Sequence, residues 1–440
     1  MERREFLQHS GVAAAAGAAA AGTMPAKVLG ANDRLRVGFV GCGRVSDRHV
    51  REIMANPNVE IVAMCDCYDA NLERRVESAK KTGCNNVKKF GDYRKMLDTM
   101  DLNILINSTP DHWHALPSIE ACNMGIDVYV EKPISHNIYE SQKMVEAARK
   151  NKCVVQVGTQ QRSGIHFQKA MKLVREGYLG KVSQVRCMNT RNDYPNGIGN
   201  PADTPPPAGL DWDMWLGPAP YKSHNKNYWD NEGDWGRFRW FWDYAGGYVT
   251  DWFTHWLDIV QPAMGVKFPK SVVALGDRYH IRDNADTPDT LQAVLEYDDF
   301  ICTYNTTSVT SRQGDNVKGG ITFFGTDATM RLSRGGWEIF PEYDGKGDDR
   351  KARVPAEKHP TSDQNMPHFK NFVDCVRNRK RPVSDIEDGY WTSVGVHLTN
   401  IAARTKSCVE WDARSERIVN NPAAEKLFKR DYRAPWKLPA

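Results

Sequence analysis

The 440-residue chain carries 59 Lys and Arg against 55 Asp and Glu, for a net charge of +4, and is 40% hydrophobic and 26% charged. At roughly 100–200 residues per domain, this length predicts two domains. Acids and bases are interspersed, so no basic stripe of the kind that grips nucleic acid is present; KNKC and RNRKRP read as solvated faces, and no nucleic-acid partner is expected.

The N-terminus, MERREFLQHSGVAAAAGAAAAG, orders paired Arg3 and Arg4, then Phe6 and Leu7, then a mildly apolar Ala/Gly run. That is the layout of an export signal, and E-R-R-E-F-L-Q resembles the twin-arginine signal that addresses folded proteins to an export machinery. The apolar run from Gly11 to Gly22 is too short to span a bilayer, and no later stretch reaches the roughly 18 apolar residues a spanning helix needs. Residues 1–31 are therefore expected to be a signal peptide, cut between Ala21 and Ala31, and the protein to be periplasmic or otherwise exported. The ten cysteines show no C-x-x-C pair or zinc spacing, so no metal is expected, and they read as small buried thiols of a chain folded in a reducing compartment.

From residue 34 the pattern is strand, glycine turn, helix: RLRVGFV, then GCGRVSDRHV, then VEIVAMCD ending at Asp66. LNILINSTP, GIDVYVEKP and KCVVQVGTQQ continue it, each apolar strand followed by a helical stretch. This predicts a doubly wound parallel sheet over 34–155. Beyond 156 the strands alternate or form hairpins (KVSQVRCMNT, KSVVALGDRY, TLQAVLEYDD, FICTYNTTSV, GGITFFGTDATMRLS, GGWEIFPEY), predicting an α+β domain with an open, mostly antiparallel sheet over 156–440. Within it lies an insertion, 191–245, rich in Pro, Gly, Asn and aromatics; eight of the thirteen tryptophans fall in 212–256. Those rings read equally as a small core or as a ligand wall. The tail predicts two helices and a final extended arm, DYRAPWKLPA.

Gly41, Gly43 and Ser46 give G-x-G-x-x-S between a strand and a helix. The first glycine permits the tight turn, the second lets backbone approach a pyrophosphate, and the helix start offers N–H donors. Asp66 closes the next strand, where a carboxylate holds a ribose diol, so NAD is expected; Arg74 and Arg75 nearby leave NADP possible. VEKPISHN puts Glu131 and Lys132 at the carboxyl end of a strand, where ligands bind in such sheets. GGYVTDWFTHWLDIV sets Asp251 and His255 four apart, on one face of a helix.

The order G-C-G-R-V-S, STPDHWH, EKP and GGYVTDWFTHWLD resembles the glucose-fructose oxidoreductase/inositol dehydrogenase/rhizopine-catabolism family from about residue 34 to the C-terminus. The resemblance implies an enzyme in which Lys132, Asp251 and His255 meet around the nicotinamide and the reacting carbon. With the glycine turn, it implies that Gly41, Gly43, Arg44, Val45, Asp66, Thr109, Pro110, His114, Glu131, Lys132, Gln160 and Arg162 line NAD, which export would require to be tightly held, and that Arg162, Asp251 and His255 face a carbohydrate; the rings of Tyr228, Trp229, Trp240 and Tyr244 are candidates to stack on its C–H faces. The reaction implied is hydride transfer from a secondary alcohol of a sugar, polyol or glycoside. Redox-neutral glycoside cleavage by transient oxidation is the alternative, and a sugar or cofactor sensor without catalysis is a third. The open sheet is expected to make a homo-oligomer. Some relatives carry Tyr in place of His at the 255 position, and short relatives lack the Trp-rich insertion.

Overall fold

A computed structural model describes residues 34–230, 236–311 and 319–439; the expected signal over 1–31 lies outside them. Six short apolar strands, β1 (Leu35–Val40), β2 (Val59–Cys65), β3 (Lys88–Phe90), β4 (Ile104–Asn107), β5 (Asp127–Val130) and β6 (Val155–Val157), form one parallel sheet in the order β3-β2-β1-β4-β5-β6. All but the edge strand β3 are almost wholly buried, which is why they read as continuous apolar runs: helices cover both faces, so no residue needs to face water. The helix Arg44–Met54 follows the glycine turn. Its Ncap, Gly43, provides no side-chain cap, so its first amides remain for another acceptor.

The second sheet has ten strands. They are β7 (Val182–Thr190), β8 (Ser271–Asp277), β9 (Thr290–Glu296), β10 (Ile301–Thr307), β11 (Gly319–Gly325), β12 (Ala328–Ser333) and β13 (Gly336–Pro341), with three more after the small pair β14 (Tyr343–Asp344) and β15 (Lys351–Ala352): β16 (Glu357–Pro360), β17 (Val409–Asp412) and β18 (Arg417–Val419). The spatial order is β16-β13-β12-β11-β7-β10-β9-β8-β17-β18. Among the described strands only β7 and β10 pair in parallel; the other neighbours are antiparallel. The burial of β9 alternates strictly, Leu291, Ala293 and Leu295 inward, as expected of a sheet with one covered face. The helices Thr254–Met264 and Ile386–Thr405 supply that cover. No described helix is long and apolar enough to cross a membrane.

The two sheets are stitched together by the tail. The helix Asn365–Asn378 packs Phe369, Phe372, Val373 and Val376 into the core of the first sheet, beside Tyr129, Val37 and Ile104. Phe369 stacks on Tyr129 with centroids 4.4 Å apart, and His368 Nε2 meets Val157 O at 2.8 Å. The first domain is thus discontinuous in sequence, a point not visible in its strand pattern.

All ten cysteines are free thiols, eight of them buried. The Trp-rich insertion builds a third core from Tyr68, Leu210, Trp212, Trp215, Leu216, Phe241 and Tyr244. It rests on the first domain just past β2 and β4: Asp211 N donates to Cys67 O at 2.8 Å and Asp69 N to Gly209 O at 3.0 Å, while Trp113 Nε1 donates to Trp215 O at 3.0 Å. The C-terminal arm fastens it. Arg433 Nε donates to Gly217 O at 3.0 Å and Ala219 O at 3.1 Å, Arg430 donates to His112 O at 2.7 Å, and the Trp436 ring meets Trp113 edge-on at 4.8 Å under the Arg94 guanidinium.

Candidate active site

The glycine turn has the shape a dinucleotide needs. Gly41 has φ +84°, and a Cβ there would lie 2.7 Å from the backbone of Ser108 and Thr109, so only glycine lets β1 and β4 end this close together. A Cβ on Gly43 would meet nothing within 4 Å, which leaves an open cradle over the uncapped helix start. Arg44 is exposed and Val45 half-buried beside it. Asp66 Oδ2 accepts from Cys42 N at 2.6 Å and Oδ1 from Tyr68 N at 2.8 Å. Burial raises its carboxyl to about 6 against the pull of those two amides. Each oxygen retains a lone pair for a ribose hydroxyl. Arg75 is turned away from that diol position, donating to Gly43 O at 3.0 Å and pairing with Asp47.

Lys132 and Asp251 meet at the carboxyl ends of the strands. Lys132 Nζ lies 2.5 Å from Asp251 Oδ1 and 3.0 Å from Asp251 O, and Arg239 Nε donates to the same Oδ1 at 3.1 Å. Burial pushes this carboxyl up, but the two cations win and hold it at about 2. Asp251 sits in a single π-helical turn, Val249–Phe253, and His255 in the α-helix that follows. The wider turn changes the expected geometry. The two side chains do not stack as an α-helical i, i+4 pair: the carboxylate turns to Lys132 and Arg239, and no hydrogen bond joins it to His255. His255 is 6% exposed, its Nδ1 is buried without a partner among the described residues, and its carbonyl accepts from Gln161 Nε2 at 3.1 Å. Burial, reinforced by Arg334, Lys132, Arg48 and Arg239, drives its pKa well below the usual value. It is a neutral base surrounded by cations.

Other expected ligand contacts are employed differently. Glu131 lies 2.9 Å from His49 Nε2. Burial raises its carboxyl, but His49, Arg48 and Lys132 together hold it at about 2. His114 spans Pro133 O (2.6 Å) and Thr109 O (2.8 Å), so it fixes the loop carrying Lys132 instead of facing the crevice. Thr109 Oγ1 donates to Asn107 Oδ1 at 2.7 Å, and Pro110 begins the turn Asp111–Trp113. Gln160 is 8% exposed and opens the 3-10 turn Gln160–Ser163 that follows β6. Arg162, expected at the nicotinamide end and against substrate, is drawn to Asp258 at 2.9 Å and Asp388 at 3.4 Å. There it lies behind the helix of His255, its guanidinium shared between the buried Asp258 and the half-buried Asp388. Tyr244 is fully buried, edge-on to Trp215 at 4.9 Å, so the core reading applies to it. Tyr228, Trp229 and Trp240 are half-buried against the same cluster.

Three residues of the pocket were not read from the sequence. Asp111 is buried within the field of His114, Arg239, Lys132 and Asp251, and burial raises its carboxyl. Arg239 comes from the 3-10 turn Arg237–Trp240, and Arg334 from the tight hairpin between β12 and β13. Nothing in their local sequence pattern points to the site; only the fold brings them there.

A parallel dinucleotide cradle facing a lysine, a carboxylate and a neutral histidine defines an oxidoreductase of the two-domain, nicotinamide-dependent class. The chain belongs to the Gfo/Idh/MocA oxidoreductase family: residues 35–159 match "Oxidoreductase family, NAD-binding Rossmann fold" and residues 163–438 match "Oxidoreductase family, C-terminal alpha/beta domain". A glycosyl hydrolase family 109 protein of Shewanella sp. is 30% identical over 154 residues, 34% of each chain; the match thus spans about a third of that relative's length. Among solved structures, the WlbA dehydrogenase from Chromobacterium violaceum in complex with NADH and UDP-GlcNAcA superposes with TM-score 0.65 at 21% identity, over 87% of this chain and 97% of that one. Levoglucosan dehydrogenase in complex with NADH and levoglucosan gives 0.64 at 17%, over 86% and 99%. At these identities the two share its fold.

Proposed function

We propose that this protein is an exported NAD-dependent oxidoreductase that oxidises a secondary alcohol of a sugar, polyol or glycoside and keeps its cofactor between turnovers. The observation that carries the reading is the Lys132–Asp251 pair, 2.5 Å apart, whose ammonium charge acts on the neutral His255 in the next helical turn. Gly41, Gly43, Arg44 and Val45 would hold the pyrophosphate and Asp66 the ribose diol, with Thr109, Pro110 and Gln160 along the crevice. Bound NAD would supply the hydride acceptor. His255 takes the hydroxyl proton, which a neutral imidazole can do across the neutral pH range. Lys132 donates a hydrogen bond to the oxygen as it becomes a carbonyl, and Asp251, clamped by Arg239, fixes the ammonium in place. Lys132→Met and His255→Phe should each lower turnover by about a hundredfold or more, the scale of a lost acid-base or oxyanion group, with nucleotide binding kept. Unchanged turnover in both variants, measured as NADH formed on enzyme, sinks the assignment.

A redox-neutral variant of the same chemistry, glycoside cleavage through a transient ketone, is favoured by the glycosyl hydrolase relatives. It differs in that sugar is released with no net NADH. Either way, an exported enzyme has little free nucleotide around it, so the twin-arginine reading of Arg3 and Arg4 goes with a cofactor loaded before export. The open face of the large sheet exposes Val273, Leu275, Val294 and Ile301, an apolar stripe suited to a homo-oligomer.

A further inference from the structure

The charges around His255 do not balance. Lys132 and Arg239 divide one carboxylate, Asp251, between them, and the one other anion in the field of Arg334, Glu131, is hydrogen-bonded to His49, which burial keeps neutral, so three cations share two carboxylates. Arg334 has no carboxylate partner among the described residues. It is nevertheless firmly placed. Its guanidinium lies 4.8 Å from the centroid of the Trp252 ring, and its Nε donates to Gln161 Oε1 at 3.0 Å. Its own carbonyl accepts from Thr361 Oγ1 at 2.7 Å, which pins the hairpin. Both supports lead back to the base: Trp252 stands edge-on to His255 at 5.7 Å, and Gln161 holds the His255 carbonyl. One edge of the guanidinium is thus committed, and the Nη groups have no hydrogen-bond partner among the described residues.

A positioned, half-buried cation with no ion-paired carboxylate among the described residues costs free energy unless a ligand completes it. Trp252 and Gln161 account for where Arg334 sits but not for its charge, since Gln161 is neutral and the ring offers only its face. A planar fork with two free donors matches an oxyanion held by two parallel hydrogen bonds, which a lysine or a neutral side chain would not match.

We infer that Arg334 binds an oxyanion on the substrate, so the preferred sugar carries a carboxylate or a sulfate ester close to the hydroxyl that His255 deprotonates. The inference rests on the oxidoreductase reading of this pocket and narrows its substrate class.

Binding and turnover separate the two. Calorimetry on the nucleotide-loaded, full-length protein would compare methyl β-D-glucuronoside, glucose 6-sulfate and methyl β-D-glucoside. At least one anionic probe should bind about tenfold or more tightly than the neutral one, equivalent to about 1.4 kcal/mol, and which one it is distinguishes carboxylate from sulfate. Arg334→Gln should abolish that preference while leaving the neutral probe's affinity and the melting temperature near the parent's, and Arg334→Lys should restore part of it. Equal affinity for all three probes, no binding of either anion, or a preference that survives Arg334→Gln overturns the inference. An equal loss for charged and neutral probes in Arg334→Gln does so too, since it means the residue only props up Trp252 and Gln161. If an anion binds through Arg334 and no probe of any charge reduces the nucleotide or is cleaved, it is the oxidoreductase reading that fails.

Discussion

Trp436→Ala should speed the loss of bound nucleotide without touching any residue of the crevice. The indole is 8% exposed, edge-on to Trp113 at 4.8 Å with the Arg94 guanidinium 4.5 Å from its centroid. Truncating a buried aromatic to Ala costs about 3–5 kcal/mol. The lower end applies here, about 3 kcal/mol, because Arg430, Tyr432 and Arg433 still hold their partners. At about 1.4 kcal/mol per tenfold, the arm would be undocked roughly a hundred times more often. The arm secures the insertion that lies just past Asp66, so nucleotide escape that waits for this opening accelerates by up to the same factor. The assay is displacement of prebound NADH by excess NAD, followed by fluorescence, with a thermal melt in parallel. Release within twofold of the parent, together with a lowered melting temperature, would refute the idea that the arm and insertion retain the cofactor.

Gly41→Ala should abolish nucleotide binding and destabilise the fold by several kcal/mol, read by calorimetry and thermal melts, because the new Cβ falls 2.7 Å from backbone and φ is +84°. Tyr244→Phe removes a buried hydroxyl that has no partner among the described residues, so stability should be unchanged or rise by about 1 kcal/mol with KM unaltered; a raised KM would return the hydroxyl to the substrate. Stability should fall with pH below about 6.5. Burial lowers His112 to about 3 and His368 and His397 to about 4, so between those values and the usual 6.5 the unfolded chain binds more protons and gains on the folded one. Asp66 at about 6 and Glu52 at about 7, both raised by burial, act in the opposite sense below those values, so the histidines prevail only by number and depth; a flat urea midpoint from pH 7 to 5 would contradict this. The acid limb of turnover should lie well below pH 6.5, because His255 is neutral down to there.

The strands were legible wherever burial left a periodic trace. The continuous runs of β1, β2, β4 and β5 and the strict alternation of β9 follow from two-sided and one-sided cover. The short edge strand Lys88–Phe90 and the outer strands Glu357–Pro360 and Arg417–Val419 have too few buried positions to show a period. Lys132, Asp251 and His255 stand out in the sequence because a family motif marks them. The π-turn does not, since residue spacing assumes a regular helix and puts Asp251 over His255 when it belongs to Lys132. The ion pairs of Arg162 were not legible for a related reason: its partners, Asp258 and Asp388, come from distant helices. Arg239 and Arg334 arrive on turns whose destination only tertiary structure decides.

The helix Asn365–Asn378 has a consequence for the order in which this chain can be finished. It supplies part of the covering layer of a sheet whose strands all lie before residue 158. When those strands leave the ribosome, their cover is still about two hundred residues from being made, well beyond the span over which domains usually fold as they emerge. A fragment ending near residue 160 would leave Tyr129 and its neighbours bare, and should stay aggregation-prone until a peptide bearing Phe369, Phe372 and Val376 is added back. The nucleotide cradle is therefore not a portable module; its sheet is completed only when nearly the whole chain has been synthesised.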